Sequence, residues 1–442
     1  TLGCKVNQAE TDSMLDMLKA AGANIVEFDE KADIYIVNTC SVTNIADKKS
    51  RQMLHRARKM NPDGIVIAAG CYVQSAREIL EQDEAIDIVI SNNKKKSITE
   101  IVNDYINVRN NGKNAPGKDH EAMEYFVDIS RETEYEEMGG HVPVGHTRAY
   151  VKIQDGCNQF CSYCIIPYVR GRIRSRSQEA ILAEVSELAE AGIKEVVLTG
   201  IHISSYGKDK NNEGALIELI EAISKIKGIK RIRLGSLEPG IITEEFVERI
   251  SSNSKVCPHF HLSLQSGCDS VLKRMNRKYT CKQYFEKCDM LRKAYKSPAL
   301  TTDVIVGFPG ETEEEFAETV RYLTELNLYE MHIFKYSPRK GTVAAAMKEQ
   351  VAPEIKNERS DVLLKLAYDN KTAYEAQFDG CELEVLVEEV VKKDNKTYLR
   401  GHTERYMDIL IDVGDISMPE SFVNSFVYVT YTQNGGNLPL LL

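Results

Sequence analysis

Three cysteines in one short loop constrain this chain of 442 residues more than any other feature. Cys157, Cys161 and Cys164 follow an apolar segment at residues 149–154 that is predicted to be a β-strand. A loop this tight can direct three thiolates at one metal centre, whereas an iron–sulfur cluster or a structural zinc ion takes four ligands. No histidine follows within the next several residues, so one coordination position stays free for a substrate. The loop therefore predicts a catalytic metal centre.

The residues alone leave other interpretations of this loop open. A distant residue could complete a zinc knuckle, or the three cysteines could simply be buried in a core. Disulfides are disfavoured because the 11 cysteines are an odd number and no signal peptide is visible. The net charge of -10 argues against a protein that coats nucleic acid, although a local basic patch is compatible with it.

A second set of three cysteines is widely spaced but occupies equivalent positions in the predicted topology. Cys40 and Cys71 follow predicted strands at 33–38 and 65–69. Cys4 would likewise follow a first strand that is truncated in this sequence. Open α/β sheets bind ligands at the carboxyl edge of their parallel strands. The three thiols could therefore converge on a second metal centre, and the alternative is that they are buried and inert. The remaining cysteines show no ligand spacing and are interpreted as structural: Cys257, Cys268, Cys281, Cys288 and Cys381.

The order of predicted elements divides the chain into three folded regions. Residues 1–110 alternate strands and helices, which predicts a doubly wound parallel α/β domain. Residues 111–147 are charged and contain Asn-Gly, Pro-Gly and Gly-Gly pairs, so we interpret them as a linker or surface excursion. Six further βα units in residues 148–375 predict a partial (βα)6 barrel. Residues 376–442 alternate strands without helices and predict a small OB-like β-barrel.

The predicted elements are as follows. In the first region, strands are predicted at 24–28, 33–38, 65–69 and 87–90, and helices at 11–21, 46–60 and 97–105. In the second, strands are predicted at 149–154, 195–199, 231–234, 259–264, 300–306 and 331–336, with a closing helix at 354–377. In the third, strands are predicted at 383–391, 397–401, 408–412 and 426–432.

Two basic stretches stand out against the acidic total. The first lies on one predicted helix and includes Lys48, Lys49 and Arg51; the second, just after the cysteine loop, comprises Arg170, Arg172, Arg174 and Arg176. A period of two would place these four arginines on one side of an extended segment, where they could contact phosphates. The alternatives are a solvated helix face for the first stretch, and intramolecular pairing or a cofactor carboxylate for the second.

Several motifs resemble those of a known family. The loop Cys157-Asn158-Gln159-Phe160-Cys161-Ser162-Tyr163-Cys164 resembles the cluster loop of the radical S-adenosylmethionine superfamily. Three other stretches resemble the N-terminal domain of its methylthiotransferases: Leu2-Gly3-Cys4-Lys5-Val6-Asn7-Gln8, Asn38-Thr39-Cys40-Ser41-Val42-Thr43 and Gly70-Cys71-Tyr72. Leu399-Arg400-Gly401-His402-Thr403 resembles their TRAM domain, an OB-like barrel. The resemblance spans essentially the whole chain.

This resemblance implies two 4Fe-4S clusters, one on Cys157, Cys161 and Cys164 and the other on Cys4, Cys40 and Cys71. S-adenosylmethionine would bind the open iron of the first, and its cleavage would give a radical that takes hydrogen from C2 of an adenine. Tyr163 occupies the position that contacts the cofactor adenine, and Tyr163, Phe308 and Tyr336 are candidates for stacking on the target base. Further cofactor contacts are expected where barrel strands end: Thr199, Gly200, Ser236, Glu238, Gln265, Ser266, Val306 and Gly307.

The resemblance also implies a substrate. The residues after the first two N-terminal cysteines are most similar to the branch that methylthiolates N6-threonylcarbamoyladenosine at position 37 of tRNA. Three alternatives stay open: isopentenyladenosine as substrate, an aspartate of a ribosomal protein, or a non-enzymatic zinc-binding RNA adaptor. The TRAM resemblance implies tRNA contacts at Arg400, His402 and Arg405, although that region has a net charge of -7 over residues 372–442.

The expected partners follow from the same resemblance. They are the tRNA anticodon stem-loop, S-adenosylmethionine and an electron donor. We expect a cytoplasmic monomer with no membrane contact, because the longest apolar runs are far shorter than the roughly 20 residues that span a bilayer.

Overall fold

The computed structural model describes residues 1–110, 125–139, 147–394, 396–414 and 418–432. No helix in these ranges is both long and apolar enough to span a bilayer. Most of the predicted linker, at residues 111–124 and 140–146, lies outside the described residues.

The N-terminal sheet has three parallel strands in the order β1-β2-β3. The strands are β1 (Ile34–Thr39), β2 (Ile65–Gly70) and β3 (Ile88–Ile90), and the helices around them are α1 (Lys5–Ala20), α2 (Asn44–Met60), α3 (Cys71–Glu81) and α4 (Ile98–Asn110). Ile65 and Ile67 of β2 pack towards α1 and α4, whereas Val66 and Ala68 pack towards α2 and α3. Because alternate residues of a strand point to opposite faces, helices cover both faces, as predicted for a doubly wound domain.

Two of the element predictions for this region were wrong. Residues 24–28 form no strand, and Ile25 and Val26 are each 38% exposed. Their β-branched side chains favour extended backbone, but strand formation also needs a neighbouring strand with which to pair. Helix α1 begins at Lys5, six residues before the predicted start, because Val6 and Ala9 are buried on the same helix as Met14.

The central region is a curled sheet of six parallel strands. These are β4 (Arg148–Asp155), β6 (Glu195–Gly200), β7 (Arg231–Leu234), β8 (His259–His261), β9 (Ala299–Val306) and β10 (Glu330–Lys335), and the short β5 (Arg174–Ser175) pairs antiparallel with β4. Ladders join β4-β6-β7 and β8-β9-β10, and isolated bridges from Ile232 to Val256 and from Leu237 to Leu262 connect the two halves. The result is a half-barrel of six βα units, as predicted.

Helices line the outside of this half-barrel. They are α5 (Ile166–Arg170), α6 (Gln178–Glu190), α7 (Ala215–Ser224), α8 (Glu244–Ser251), α9 (Asp269–Arg274), α10 (Cys281–Ala294), α11 (Glu313–Leu326) and α12 (Pro353–Ala376). Ala149, Val151 and Ile153 of β4 belong to the core under these helices. Because strand residues alternate, Arg148, Tyr150 and Lys152 face the inside of the curl. We call this inner face the lumen.

The C-terminal region is a four-stranded antiparallel sheet in the order β13-β12-β11-β14. Its strands are β11 (Glu382–Lys393), β12 (Lys396–Thr403), β13 (Asp408–Asp412) and β14 (Phe426–Thr430). A bulge between Val387 and Glu389 bends β11, and a separate apolar cluster fills the concave side. In the described residues the sheet forms a half-barrel, consistent with the predicted OB-like unit.

The C-terminal sheet is docked on the amino-terminal end of the half-barrel. Arg231 of β7 donates to the carbonyl oxygens of His402 and Glu384, each at 3.0 Å. Arg233 donates to the carbonyl oxygens of Glu404 (2.9 Å) and Thr403 (3.2 Å). The loop after β12 therefore covers this end of the lumen, and ligands have access from the opposite end.

Candidate functional site

The cysteine loop leaves the end of β4 and is shaped by residues with unusual backbone conformations. Gly156 has a φ of 73°, and a Cβ there would lie 1.8 Å from the carbonyl oxygen of Arg172, so a side chain cannot be accommodated. The amide of Cys157 donates to the carbonyl of Gly171, and that of Cys164 to the carbonyl of Cys161, both at 3.0 Å. These contacts bring three thiols into one short turn.

A second loop braces the cysteine loop. The amide of Ser162 donates to the carbonyl of Met275 (3.0 Å), and its hydroxyl donates to the carbonyl of Arg274 (2.8 Å). The side-chain amide of Asn276 donates to the carbonyl of Phe160 (2.9 Å). The position of the thiols therefore depends on a segment that lies far away in the sequence.

Arg277 in this bracing loop contacts the thiols directly, and the sequence analysis missed it. Its Nη1 donates to the Cys161 sulfur at 3.2 Å, and its Nη2 donates to Glu238 at 2.9 Å. Hydrogen bonds to cluster sulfurs adjust reduction potential. No spacing signal could have indicated this contact, because Arg277 and Cys161 are 116 positions apart.

The three loop thiols suit a metal centre better than free thiol chemistry. Burial raises the pKa of Cys157 to about 11 and that of Cys164 to about 12, and the neighbouring cysteines contribute to both. Such thiols stay protonated at neutral pH until a metal replaces the proton. In the described ranges, the ligand atoms of His261, Asp303 and His332 lie within 4.8 Å of one another, and this triad includes no cysteine.

The structure also brings together the three N-terminal cysteines. Cys40 directly follows β1, Cys71 is the first residue of α3 after β2, and Cys4 precedes α1. The amide of Leu2 donates to the carbonyl of Asn38 (2.9 Å), which places the segment before Cys4 beside the end of β1. Burial raises the pKa of Cys40 to about 11, and the nearby thiols of Cys71 and Cys4 add to the shift.

Glycines let the chain approach these three thiols closely. Gly3 has a φ of 102°, and a Cβ there would lie 2.8 Å from the Cβ of Cys40. Gly70, just before Cys71, has a φ of 96° and would place a Cβ 2.4 Å from the carbonyl oxygen of Thr39. Both positions therefore require glycine, and this donor set fits the second cluster implied by the resemblance.

The short helix α5 links the two sets of thiols. It begins two residues after Cys164, and its last residue, Arg170, donates from Nε to the Cys71 sulfur at 3.1 Å. Cys71 also packs against Ile165 and Val169. A five-residue helix rises about 7.5 Å, so only a short helix separates the loop thiols from the residue that contacts Cys71.

Arg170 lies at the centre of a buried ionic network rather than on the surface. Its side chain is fully buried, and it binds Glu10, the side chain of Asn7 and Asp155. Lys95 and Lys152 bind the same Glu10 carboxylate. Burial alone would raise the pKa of Glu10, but Arg170, Lys152 and Lys95 hold it well below its ordinary value. This network joins α1 to the half-barrel.

Three of the four arginines that were predicted to contact phosphates are buried in the structure. Besides Arg170, Arg174 is fully buried 3.7 Å from Asp155, and Arg176 is buried in ion pairs with Glu137 and Glu184. The segment is not a single extended strand, because α5 ends at Arg170 and β5 covers only Arg174–Ser175. Arg172 alone is exposed, with its guanidinium 4.6 Å from the ring centre of Phe160.

The other basic residues predicted to contact tRNA differ in their exposure and in the partners they already have. Lys48 and Lys49 are exposed on α2. Arg51, also exposed, donates to the hydroxyl of Tyr72 at 2.5 Å. In the C-terminal sheet the three candidates already have partners: Arg400 binds Asp408 and Glu389, His402 binds Glu388, and Arg405 donates to the carbonyl of Ser297. The most accessible cations among these candidates are therefore on α2.

Several of the predicted cofactor contacts lie near the loop thiols. Tyr163 packs beside Phe308 and Tyr336, which form a buried edge-on pair with ring centres 5.6 Å apart. Glu238 is held by Arg277, the residue that contacts Cys161. These positions agree with a cofactor site at the loop, whereas Phe308 and Tyr336 are packed in the core.

The remaining candidates lie at or near the ends of the half-barrel strands. Gly200 ends β6 and lies against Gln154, Gln265 has a φ of 78°, and Gly307 has a φ of 68° with its amide bound to Glu311. The Thr199 side chain is buried at the end of β6, and Ser236 is exposed. Ser266 is fully buried beside Thr319, and the Val306 side chain belongs to the core under the helices. The side chains of Ser266 and Val306 therefore pack the fold.

Two family models match the chain. Residues 151–323 match the radical SAM superfamily, and residues 1–91 match an uncharacterised protein family designated UPF0004. The first range includes all three loop cysteines, and the second includes Cys4, Cys40 and Cys71.

Curated relatives cover almost the whole chain. A threonylcarbamoyladenosine tRNA methylthiotransferase, MtaB, of Bacillus subtilis is 39% identical over 93% of this chain and 89% of its own length. The Aquifex aeolicus protein of that name is 37% identical over 92% of this chain and 97% of its own length. A tRNA-2-methylthio-N(6)-dimethylallyladenosine synthase of Thermoanaerobacter pseudethanolicus is 36% identical over 98% of this chain and 90% of its own length.

A solved structure shares the fold. The radical S-adenosylmethionine methyltransferase TsrM from Kitasatospora setae superposes with a TM-score of 0.56, covering 76% of this chain and 73% of that one at 14% identity. At that identity the likeness concerns the fold alone. At 36–39% identity over more than nine-tenths of this chain, the curated relatives show that it belongs to the radical S-adenosylmethionine methylthiotransferase family.

Proposed function

We propose that this chain adds a methylthio group to C2 of N6-threonylcarbamoyladenosine at position 37 of tRNA. The observation that carries the proposal is the pair of three-thiol sets at the two ends of α5, one on the half-barrel and one on the N-terminal sheet. The relatives named for this reaction are 37–39% identical over more than nine-tenths of the chain.

The donor sets fit the implied cofactors. Cys157, Cys161 and Cys164 would hold a 4Fe-4S cluster whose fourth iron binds S-adenosylmethionine, and Cys4, Cys40 and Cys71 would hold a second. When bound, the clusters and S-adenosylmethionine supply the electron, the radical and the sulfur for attack on an unactivated C–H bond. Buried Arg277 and Arg170 each donate to one sulfur of a set, at 3.2 and 3.1 Å.

The chain's own residues hold the two sets in position and limit access to them. The loop around Asn276 positions the first donor set, and the network around Glu10 fixes the second set against the barrel. Such positioning matters because misplacing reacting groups by about 1 Å can cost a hundredfold in rate. The docked C-terminal sheet covers one end of the lumen, which favours exclusion of water.

The remaining expectations form part of this proposal. The enzyme would act in the cytoplasm as a monomer, with a separate electron donor. Its domain limits would be 1–110, 148–375 and 376–442, with 111–147 as the linker. The described part of that linker, residues 125–139, lies against both flanking regions. The backbone amide of Lys96 donates to the carboxylate of Glu136, and the hydroxyl of Tyr135 donates to the carbonyl oxygen of Lys152.

A nucleoside analysis tests the proposed substrate. The purified, anaerobically reconstituted enzyme is incubated with S-adenosylmethionine, reductant and anticodon stem-loop RNA carrying either threonylcarbamoyl- or isopentenyl-adenosine. We expect mass spectrometry to show the methylthio product from the first RNA only. A product only from the isopentenyl RNA would assign the chain to the dimethylallyladenosine branch, whose named relative is nearly as similar. Modification of a ribosomal protein and of neither RNA would reject a tRNA substrate.

The exposed lysines of α2 give a second prediction. Replacing Lys48 and Lys49 with alanine should weaken tRNA binding and reduce the slope of log affinity against log salt by about 1 for each phosphate that the variant no longer neutralises. Binding is measured by fluorescence anisotropy across a salt series. The matched control is Lys365→Ala on the exposed side of α12, which should leave the slope unchanged. An unaltered slope in the double variant would remove α2 from the tRNA surface.

A further inference from the structure

The lumen near the N-terminal thiols is lined by charged side chains. Arg148 and Lys152 project into it from β4, and Arg231 and Arg233 from β7, on the face opposite the helices. Lys5, the residue after Cys4, also reaches this space, with its ammonium 5.9 Å from the ring centre of Tyr150. Which of these cations can bind an anionic group depends on which of them lack a carboxylate partner.

Most of these cations already have carboxylate partners. Arg233 binds Glu195 at 2.7 Å, Arg231 binds Glu384 at 2.9 Å, and Lys152 binds Glu10 at 2.7 Å. Each guanidinium or ammonium in these pairs is largely neutralised by its neighbour. These paired cations are therefore poorly available to bind a ligand.

Lys5 differs, because no carboxylate of the described residues forms an ion pair with it. Glu195, which acts on Lys5 electrostatically, is already bound by Arg233. Instead, the ammonium of Lys5 lies 5.9 Å from the ring centres of both Tyr150 and Tyr406. Lys5 also lines a cavity of about 450 Å³ together with Cys4, Gln8 and Arg148. Carboxylates line the same cavity, and each has a partner of its own. Glu10 binds Lys152, Glu137 and Glu184 bind Arg176, Asp12 accepts from the Gln8 side chain, and Glu136 accepts from the backbone amide of Lys96.

Arg148 provides a second unsatisfied donor in the same cavity. One of its terminal nitrogens binds Glu388 at 3.0 Å, and the guanidinium also interacts with the Tyr406 side chain, whereas Nη1 is buried without a well-placed acceptor. Its guanidinium lies 5.0 Å from the ring centre of Tyr406, the ring that Lys5 also approaches. A buried donor left unpaired is unfavourable, so a ligand that accepts from it is favoured.

We propose that Lys5, assisted by Arg148, binds the carboxylate that the substrate adenine carries on its N6 substituent, and thereby selects an amino-acid-modified base. The inference rests on the proposed function and names the part of the substrate that this cavity recognises. An isopentenyl group offers neither charge nor acceptor and would leave both donors unpaired. Because Cys4 lines the same cavity, a carboxylate held here anchors the base beside the second set of thiols.

The test compares two RNAs that differ only in this charge. Anticodon stem-loops carry threonylcarbamoyl-adenosine either as the free acid or as its methyl ester, and the dissociation constant and KM are measured for wild type, Lys5→Ala and Lys5→Arg. We expect wild type to prefer the acid, Lys5→Ala to raise KM for the acid by about 10- to 100-fold with little change for the ester, and Lys5→Arg to keep the preference. Lys19→Ala, at the other end of α1, is the control and should behave as wild type.

Iron content and RNA-independent 5′-deoxyadenosine formation show whether the variants keep their clusters. If Lys5→Ala loses iron, Lys5→Gln preserves the side-chain length without the charge and replaces it in the comparison. Equal binding of acid and ester by wild type, or an unchanged preference in the neutral variant, would overturn the inference while leaving methylthiolation intact. If wild type methylthiolates neither RNA, the proposed function itself fails.

Discussion

Replacing Cys157, Cys161 and Cys164 together with alanine should abolish both 5′-deoxyadenosine formation and methylthiolation. The loop would offer no ligand for its cluster, and the remaining Cys4, Cys40 and Cys71 would hold only the second one. We therefore expect the iron content of the anaerobically reconstituted protein to fall to about half, from roughly eight to four atoms per chain if each cluster has four irons. Iron analysis and chromatography of the deoxyadenosine product measure the two effects.

The control for this prediction is a cysteine outside both sets. Cys381 is exposed, and its side chain makes a long 4.0 Å approach to the carbonyl oxygen of Gln377. Cys381→Ala should retain full iron and full activity. If the triple loop variant keeps all of its iron, or still produces 5′-deoxyadenosine, the loop is not the site of the radical cluster.

Replacing Glu10 with alanine should lower the free energy of unfolding by about 3–5 kcal/mol. The change leaves Lys95, Lys152 and Arg170 buried around an empty position, and a buried charge without its partner is far more costly than an exposed one. Denaturant unfolding followed by circular dichroism measures the decrease. We also expect loss of the second cluster, because Arg170 contacts both Glu10 and the Cys71 sulfur.

An exposed ion pair provides the comparison for Glu10. Asp369 binds Lys365 at 2.7 Å on α12, with side chains 53% and 77% exposed. Asp369→Ala should change stability by no more than about 0.5 kcal/mol, because such surface pairs are weak and screened by salt. If Glu10→Ala costs no more than Asp369→Ala, the network does not join α1 to the half-barrel as described.

The network also bears on how the two thiol sets work together. Glu10 and Asn7 lie on the helix that follows Cys4, whereas Arg170 ends the helix that follows Cys164. Their hydrogen bonds join the N-terminal region to the half-barrel beside Cys71. Packed helices therefore fix the position of one set of thiols relative to the other.

Much of the fold could be predicted from local patterns. The six βα units and the C-terminal strands could be predicted because apolar periodicity and turn residues recur along the chain. The missed features have non-local causes. Residues 24–28 have strand-like composition but no pairing partner, and α1 begins early because tertiary packing buries Val6 and Ala9.

By itself the sequence predicted two sets of metal ligands, because the spacing of Cys157, Cys161 and Cys164 and the positions of Cys4, Cys40 and Cys71 at predicted strand ends are local properties. Only the tertiary structure decided what each charged residue does. Arg170 and Arg172 look alike in the sequence, but Arg170 is buried against Glu10 and Arg172 is exposed. Arg277 contacts Cys161, which lies 116 positions away in the chain. The physical reason is that the energy of a charge depends on its burial and on partners that lie far away in the chain.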